Sequence, residues 1–255
     1  MGPQSHSRKT ALVTGASYGV GAACALALAR DGFDVAVAAT RRENLEATMA
    51  ALAAAPCRML PLALDLRSGT SISGAVKEII ESFGRLDVLI NNAGVDLRKP
   101  ALDVTAAELR ELVEVNVIGT FLITQEAART MIARGQGGAI VNIASSLGLV
   151  GAAERAAYGI SKAAMIQMTR MLAVEWAPHR ITVNALAPGR LDTPSPARAA
   201  TSADPNYMQA MLDRIPLHRL ATVDEVAAAA AYFAGPQAQS ITGQVLAIDG
   251  GLTAA

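Results

Sequence analysis

Cysteine is scarce in this chain: Cys24 and Cys57 are the two thiols in 255 residues. Two thiols cannot staple a disulfide framework, and both lie in apolar stretches, so free buried thiols in a reducing compartment are expected. An excess of charge of one sign is also missing, since 22 Lys and Arg balance 22 Asp and Glu. Nothing therefore steers the chain to nucleic acid or to an acidic membrane surface. No apolar run reaches the ~18–20 residues of a membrane span. Residues 1–8 are polar and include Gly2 and Pro3. They lack the apolar centre of a signal peptide and read as a loose tail on a cytoplasmic protein. His6, His179 and His218 have no metal-ligand spacing, so no metal site is expected. The G-x-S-x-G elbow of a hydrolase is absent, as is the Gly-Lys-Ser/Thr of a mononucleotide loop.

What is present is apolar content, 52% hydrophobic against 17% charged. That is enough for a sizeable core and argues against disorder. Much of it is alanine, which favours helices packed closely on a sheet. Short apolar runs read as strands at 10–13, 34–39, 58–64, 88–91, 139–143, 181–186 and 244–248. Helical stretches alternate with them at 20–30, 43–55, 71–83, 105–133, 156–177 and 222–235. Thr105 with Glu108, and Thr222 with Glu225, are capping boxes that open two of these helices. The strands are continuously apolar, as in a parallel sheet covered on both faces. Residues 190–215 are rich in Pro, Arg, Ser and Ala and show no clear periodicity. With no repeat and no linker, the expectation is one α/β domain over 9–255. It would be a doubly wound Rossmann fold with about seven parallel strands and a lid around 190–215.

The first strand runs into Thr14-Gly15-Ala16-Ser17-Tyr18-Gly19-Val20-Gly21 and then a helix. Glycines in this place permit a tight turn and let the backbone approach a pyrophosphate at the helix N-terminus. An ordinary glycine-rich turn would also explain the glycines; their place on the first strand–turn–helix favours phosphate. Further on, Tyr158 and Lys162 lie four apart on one helical face. A phenol ordinarily titrates near 10. An ammonium about 4 Å away favours the phenolate by several kcal/mol at an effective dielectric of about 20. Tyr158 would then serve as a general base for alcohol oxidation, or as the acid for ketone reduction. A lone Tyr–Lys pair is more often a solvated helix face; here it follows a phosphate loop in a doubly wound chain.

The T-G-x-x-x-G-x-G turn resembles that of the classical short-chain dehydrogenase/reductase family, and the resemblance covers the chain from about Lys9 to Leu252. It includes Asn91-Asn92-Ala93-Gly94, Asn116, the Ser145, Tyr158 and Lys162 set, Pro188-Gly189 and Asp249-Gly250-Gly251. Ser145 stands thirteen residues before Tyr158, as in the family, and would hold the substrate oxygen. Ser146 is its local competitor. Asn116 resembles the residue that bends its helix and holds a water in a proton relay to Lys162. Lys162 would also bind the nicotinamide ribose. For the cofactor, the resemblance implies contacts from Gly15, Ser17, Tyr18, Gly19, Val20 and Gly21 in the first turn. Asp65 and Leu66 match the adenine pocket. Asn91, Ala93 and Gly94 would line the dinucleotide's path, with Asn92 mostly structural between strands. Pro188, Gly189, Leu191 and Thr193 would hold the carboxamide and phosphates. Members are usually homotetramers (or homodimers) built on the two long helices and the last strand. The implied substrate is a small alcohol or ketone, such as a 3-oxoacyl thioester or a sugar or polyol. The alternative is a non-catalytic NADP(H) sensor or scaffold of the same fold.

At the end of the second strand an NAD enzyme usually places Asp or Glu for the ribose 2′-hydroxyl. This chain has Thr40, followed by Arg41 and Arg42, whose guanidinium forks suit a 2′-phosphate. The pair could instead cap an exposed helix start, and NADP-binding relatives often carry a basic residue where this loop has Tyr18. NADP(H) is nevertheless favoured over NAD(H). Arg41→Ala should lower kcat/KM for NADP(H) far more than for NAD(H); a clear wild-type preference for NAD(H) would overturn the assignment.

Overall fold

The computed structural model describes residues 8–191 and 205–254. Its centre is a sheet of seven parallel strands in the order β3-β2-β1-β4-β5-β6-β7. In chain order these are β1 (Thr10–Thr14), β2 (Asp34–Ala39), β3 (Met59–Ala63), β4 (Val88–Asn91), β5 (Gly138–Ile143), β6 (Ile181–Pro188) and β7 (Val245–Ile248). The helices are α1 (Gly19–Arg30), α2 (Glu46–Leu52), α3 (Gly69–Phe83), α4 (Ala106–Val113), α5 (Thr120–Arg134), α6 (Ala156–Trp176), α7 (Pro205–Leu212) and α8 (Val223–Ala234).

Every residue of β1, β2 and β4 is buried, because side chains on both faces of the sheet meet helices. Val13, Val35, Val37 and Ile90 face one core with Cys24, Leu28 and Ala230 of α1 and α8. Leu12, Ala36 and Leu89 face the other, with Ile72, Ile79 and Ile123 of α3 and α5. Ala25 and Ala29 of α1 and Ala227, Ala230 and Ala234 of α8 are buried in this core, in line with the expectation of alanine-rich helices packed on a sheet. Burial pushes the Cys24 thiol up to about 12, which keeps it protonated and inert; Cys57 is only half-buried. Pro61 is tolerated in β3 because β3 is an edge strand, where a missing N–H leaves no ladder bond unmade. Both capping boxes are formed.

Several elements differ from the sequence expectation. The helix expected over 43–55 is a single 3₁₀ turn, Arg42–Leu45, followed by the short α2. Pro56 disfavours a helical conformation in the residue before it and closes this segment early. The helix expected over 105–133 is interrupted by a π-helical turn, Glu114–Gly119, between α4 and α5. β6 continues beyond 186 to Pro188, since Gly189 N–H bonds the Ile248 carbonyl and draws the strand along β7. Residues 205–212, expected to lack regular structure, form α7.

At the edge of the sheet opposite the carboxyl ends of its strands, Asp87 is buried with two arginines. Its carboxylate accepts from Arg85 Nε at 2.7 Å, from Thr10 N–H at 2.8 Å and from Arg134 Nη2 at 2.5 Å. Burial by itself would raise the Asp87 carboxyl, but these donors outweigh it and hold the group below the usual carboxylate range. A lowered carboxylate stabilises the fold above its unfolded titration near 4 and loses that contribution as pH falls below it. Asp87→Asn should therefore cost about 3–5 kcal/mol at pH 7, by leaving a buried guanidinium uncompensated. The gap from wild type should close as pH drops below about 4. Urea unfolding at several pH values tests this, and a loss independent of pH would contradict it.

Candidate active site

The strand order reverses between β1 and β4, and the loops leaving the carboxyl ends of β1, β4, β5 and β6 open around that point. Such a switch point is where parallel sheets leave a crevice for ligands. Here it is a cleft of about 310 Å³. One wall is the first turn, with Gly15, Ser17, Tyr18, Gly19 and Val20; Ala93 and Gly94 follow β4; Ser145, Tyr158 and Lys162 stand opposite; Pro188, Gly189 and Leu191 close the far side.

The turn is built for close approach. Gly15 has φ +62°, and a Cβ there would sit 2.7 Å from the Ala93 Cα. Gly21 lies beneath the turn, where a Cβ would collide with the Gly15 carbonyl. Tyr18, the residue before α1, gives no side-chain cap. The first N–H groups of α1 thus point to the cleft without a capping side chain, as an anion site requires. Three residues outside the predicted site hold the turn in place. The Thr14 hydroxyl accepts from Asn92 N–H at 3.0 Å and Ala93 N–H at 3.1 Å, and the Asn92 amide donates to the Gly15 carbonyl at 2.8 Å. Thr48 donates from α2 to the Ala16 carbonyl at 2.7 Å.

On the opposite wall, Lys162 is 4% exposed and its Nζ donates to the Ile143 carbonyl at 2.9 Å. Burial pushes its ammonium down to about 8, opposed in part by the negative charge of Asp96. It remains largely protonated at neutral pH. Nζ lies 5.7 Å from the centroid of the Tyr158 ring. The Ser145 hydroxyl caps the 3₁₀ turn Ser146–Gly148 by accepting from Leu147 N–H at 3.2 Å. Ser145 lines the cleft, whereas Ser146 is buried and does not, which separates the two serines.

Asn116 sits in the π-helical turn, fully buried. Its Oδ1 accepts from Val95 N–H at 2.8 Å, and its Nδ2 donates to the Val95 carbonyl at 2.9 Å and to Ser161 Oγ at 3.1 Å. Both amide hydrogens are thereby committed. Asn116 clamps the loop after β4 to α6, just below Lys162. Gly94 leaves the room: a Cβ there would lie 3.0 Å from Asn116 Oδ1 and 3.7 Å from Lys162 Nζ.

A family model described as enoyl-(acyl carrier protein) reductase matches residues 15–253. The chain is 38% identical to cis-4-hydroxycyclohexanecarboxylate dehydrogenase of Sinomonas cyclohexanicum, over 98% of this chain and 99% of that one. It is 34% identical to the 3-oxoacyl-(acyl-carrier-protein) reductase of Thermotoga maritima, over 96% and 97%. Among solved structures, an actinorhodin polyketide ketoreductase variant with NADPH superposes with a TM-score of 0.91 at 34% identity, covering 97% and 98% of the two chains. The chain belongs to the short-chain dehydrogenase/reductase family. As a member, it is an NAD(P)-dependent enzyme acting on CH–OH and C=O groups.

The residues of this short-chain dehydrogenase/reductase fit a dinucleotide: the glycine clearance and the uncapped start of α1 suit a pyrophosphate. Several predicted cofactor positions lie beyond the walls of the cleft. Arg42 is turned to α3, where it holds Glu78 with bonds of 2.7 and 3.0 Å. Thr40 and Arg41 are exposed at the end of β2, and the Arg41 guanidinium has no hydrogen-bond or ion-pair partner among the described residues. The Asp65 carboxylate is held by Arg67, which keeps it below the usual carboxylate range. Leu66 is buried beneath Gly119, where a Cβ would collide with the Leu66 carbonyl. The Asn91 side chain turns into the sheet, donating to Thr124 at 2.7 Å and Asn142 at 2.8 Å, so it joins α5 to β5 rather than facing the cleft. Thr193 lies outside the described residues. Asp96, which lines the cleft, and Ser161 were not singled out beforehand. Ser161 stands three residues after Tyr158, and its helical spacing was the available signal.

Keeping an ammonium buried opposes folding. Lowering Lys162 from 10.5 to about 8 corresponds to about 3 kcal/mol at ~1.4 kcal/mol per pH unit, less about 1 kcal/mol for its hydrogen bond. Between these two values the unfolded chain holds a proton that the folded chain has released, so wild-type stability rises with pH across that window. Lys162→Met should gain about 1–2 kcal/mol at pH 7 and lack that rise. Denaturation of both proteins at pH 7 and pH 9.5 measures it; a destabilised variant with the wild-type pH slope would count against this account.

Proposed function

We propose that this enzyme prefers NADP(H) and moves a hydride between nicotinamide and a secondary alcohol or ketone, with Tyr158 as the general acid–base. The observation that carries this is that Ser145, Tyr158 and Lys162 line one cleft together with the glycine turn. The bound cofactor would supply or accept the hydride. Ser145 holds the reacting oxygen and stabilises its developing charge. Tyr158 gives its proton to that oxygen in reduction, or takes it in oxidation. Lys162, charged and shielded from water, favours the phenolate. Asn116 keeps the loop after β4 against α6, which fixes the height of Lys162 in the cleft.

NADP(H) preference is supported by Arg41, unpaired among the described residues, at the place where a carboxylate would serve NAD(H). Arg42 contributes less to a 2′-phosphate because Glu78 already holds it. The substrate's reacting end is proposed to be neutral and largely apolar. The arginines at the rim are engaged internally: Arg98 with Glu154 at 2.8 Å, Arg155 with Asp96 at 2.8 Å, and Arg190 over the Tyr207 ring. Leu149, Val150 and Val95 are exposed apolar side chains, and Val95 lines the cleft. This suits a 3-oxoacyl chain or an alicyclic ketone better than a polyol. We place self-association on the outer faces of α5 and α6, where Phe121, Ile160, Met171 and Val174 are exposed.

Incubation with NADPH or NADH and a panel of 3-oxoacyl thioesters, cyclic and acyclic ketones, sugars and an enoyl thioester tests the reading. Turnover should favour NADPH with an apolar ketone, and Tyr158→Phe should lower kcat by about 10²–10⁴ while leaving NADPH binding intact. Light scattering on the same sample should give a mass above the monomer. Cofactor binding without turnover on any compound would instead favour a sensor or scaffold.

A further inference from the structure

The Tyr158 ring lies beside a second cation besides Lys162. The guanidinium carbon of Arg155 is 5.0 Å from the ring centroid, nearer than Lys162 Nζ at 5.7 Å. Arg155 is three residues earlier on the chain, just before the first turn of α6, so helical spacing brings its side chain to the ring. It is not loose. Its Nη2 lies 2.8 Å from Asp96 Oδ1 and 2.9 Å from Oδ2, and its side chain is 19% exposed. Asp96 lines the cleft with Ser145, Tyr158 and Lys162, and leaves the β4 side only two residues after Gly94. A neighbouring ion pair braces the same junction: Arg98 Nε meets Glu154 Oε2 at 2.8 Å, and Lys99 N–H bonds the Glu154 carbonyl. Glu154 takes φ +62° to make that turn. An arginine that served an incoming anion would not be closed off by a carboxylate in this way.

We propose, on the reading of Tyr158 as the acid–base group, that Arg155 is a positioning residue: anchored by Asp96, it packs over the phenol ring and holds it at the cleft wall between two cations. Cation–ring attraction fixes the ring's orientation. A nearby positive charge also favours the charged form of the phenol. Among the described residues, the charged and polar groups seen beside Tyr158 include Arg155 and Lys162 from its own helical segment, with Asp96 from the loop after β4 and Ser145 from the end of β5 lining the same cleft. Asp96 is an acid of this cleft wall, and its pairing with Arg155 keeps its charge from opposing the phenolate in full.

Three variants test this: Arg155→Gln removes the charge, Arg155→Lys keeps it, and Tyr158→Phe supplies the blank. The chain has four tyrosines, so the near-ultraviolet tyrosinate titration of each protein minus its Tyr158→Phe counterpart isolates this ring without any turnover. In Arg155→Gln the midpoint should move up by about 0.5–1 pH unit. The alkaline-rising limb of kcat/KM for alcohol oxidation should move with it, kcat at pH 7 should fall about tenfold, and the cofactor KM should stay the same. Arg155→Lys should recover most of both and, by circular dichroism, the fold. A midpoint unmoved in Arg155→Gln would overturn the proposal. So would equal losses in Arg155→Gln and Arg155→Lys. If the wild type turned over no substrate while the midpoint still moved, the catalytic reading would fall and the positioning of Tyr158 by Arg155 would stand.

Discussion

The Thr14 hydroxyl, bonded by the N–H groups of Asn92 and Ala93, ties the ends of β1 and β4 together at the point where the strand order reverses. Everything in the site is arranged about that seam. On one side the chain turns through Gly15 into α1; on the other it leaves β4 through Gly94 and Asp96. The seam has to be narrow, and the glycines make it so, since a Cβ at Gly15 would press on the Ala93 backbone. A crevice at this place is a property of the topology. Its chemistry comes from the side chains delivered to its rim by β5, β6 and α6.

Lys162 carries the electrostatic tension of the site. Its ammonium is nearly out of water, with the Ile143 carbonyl as its direct hydrogen-bond acceptor. That environment lowers its affinity for a proton and weakens the fold, and the same desolvation strengthens its hold on a phenolate close by. The Asp87 cluster at the opposite edge of the sheet has the reverse character. There the buried charges are paired, and they tie β1, β4 and α5 together away from the cleft. The paired charges of the Asp87 cluster and the desolvated charge of Lys162 thus lie at opposite ends of the strands.

The fold was largely legible because its strands are buried on both faces and so read as unbroken apolar runs. Local rules placed both capping boxes correctly. Boundaries were lost where long-range contacts outweighed local preference: the π-helical turn exists where Asn116 clamps Val95 and Ser161, and β6 runs on where β7 pairs with it. At the site, spacing brought Tyr158 and Lys162 to one helical face. It could not tell that Arg42 would turn to Glu78, that Asp65 would be taken by Arg67, or that the Asn91 side chain would face away from the cleft. Each of those side chains chose a partner far away or on a neighbouring turn, and several partners were open to it.

The sequence by itself determined the alternation of strands and helices, the glycine turn, and the spacing of Ser145, Tyr158 and Lys162 that the proposed chemistry uses, because these depend on residue type and on position along the chain. Tertiary structure decided the rest. It selected Ser145 over Ser146 for the cleft, left Arg41 rather than Arg42 without a partner among the described residues, and brought Asp96 to Arg155 over the Tyr158 ring. The reason is physical: a charged or polar side chain takes the partner that folding brings within about 3 Å of it, and that partner is set by how the loops meet at the switch point.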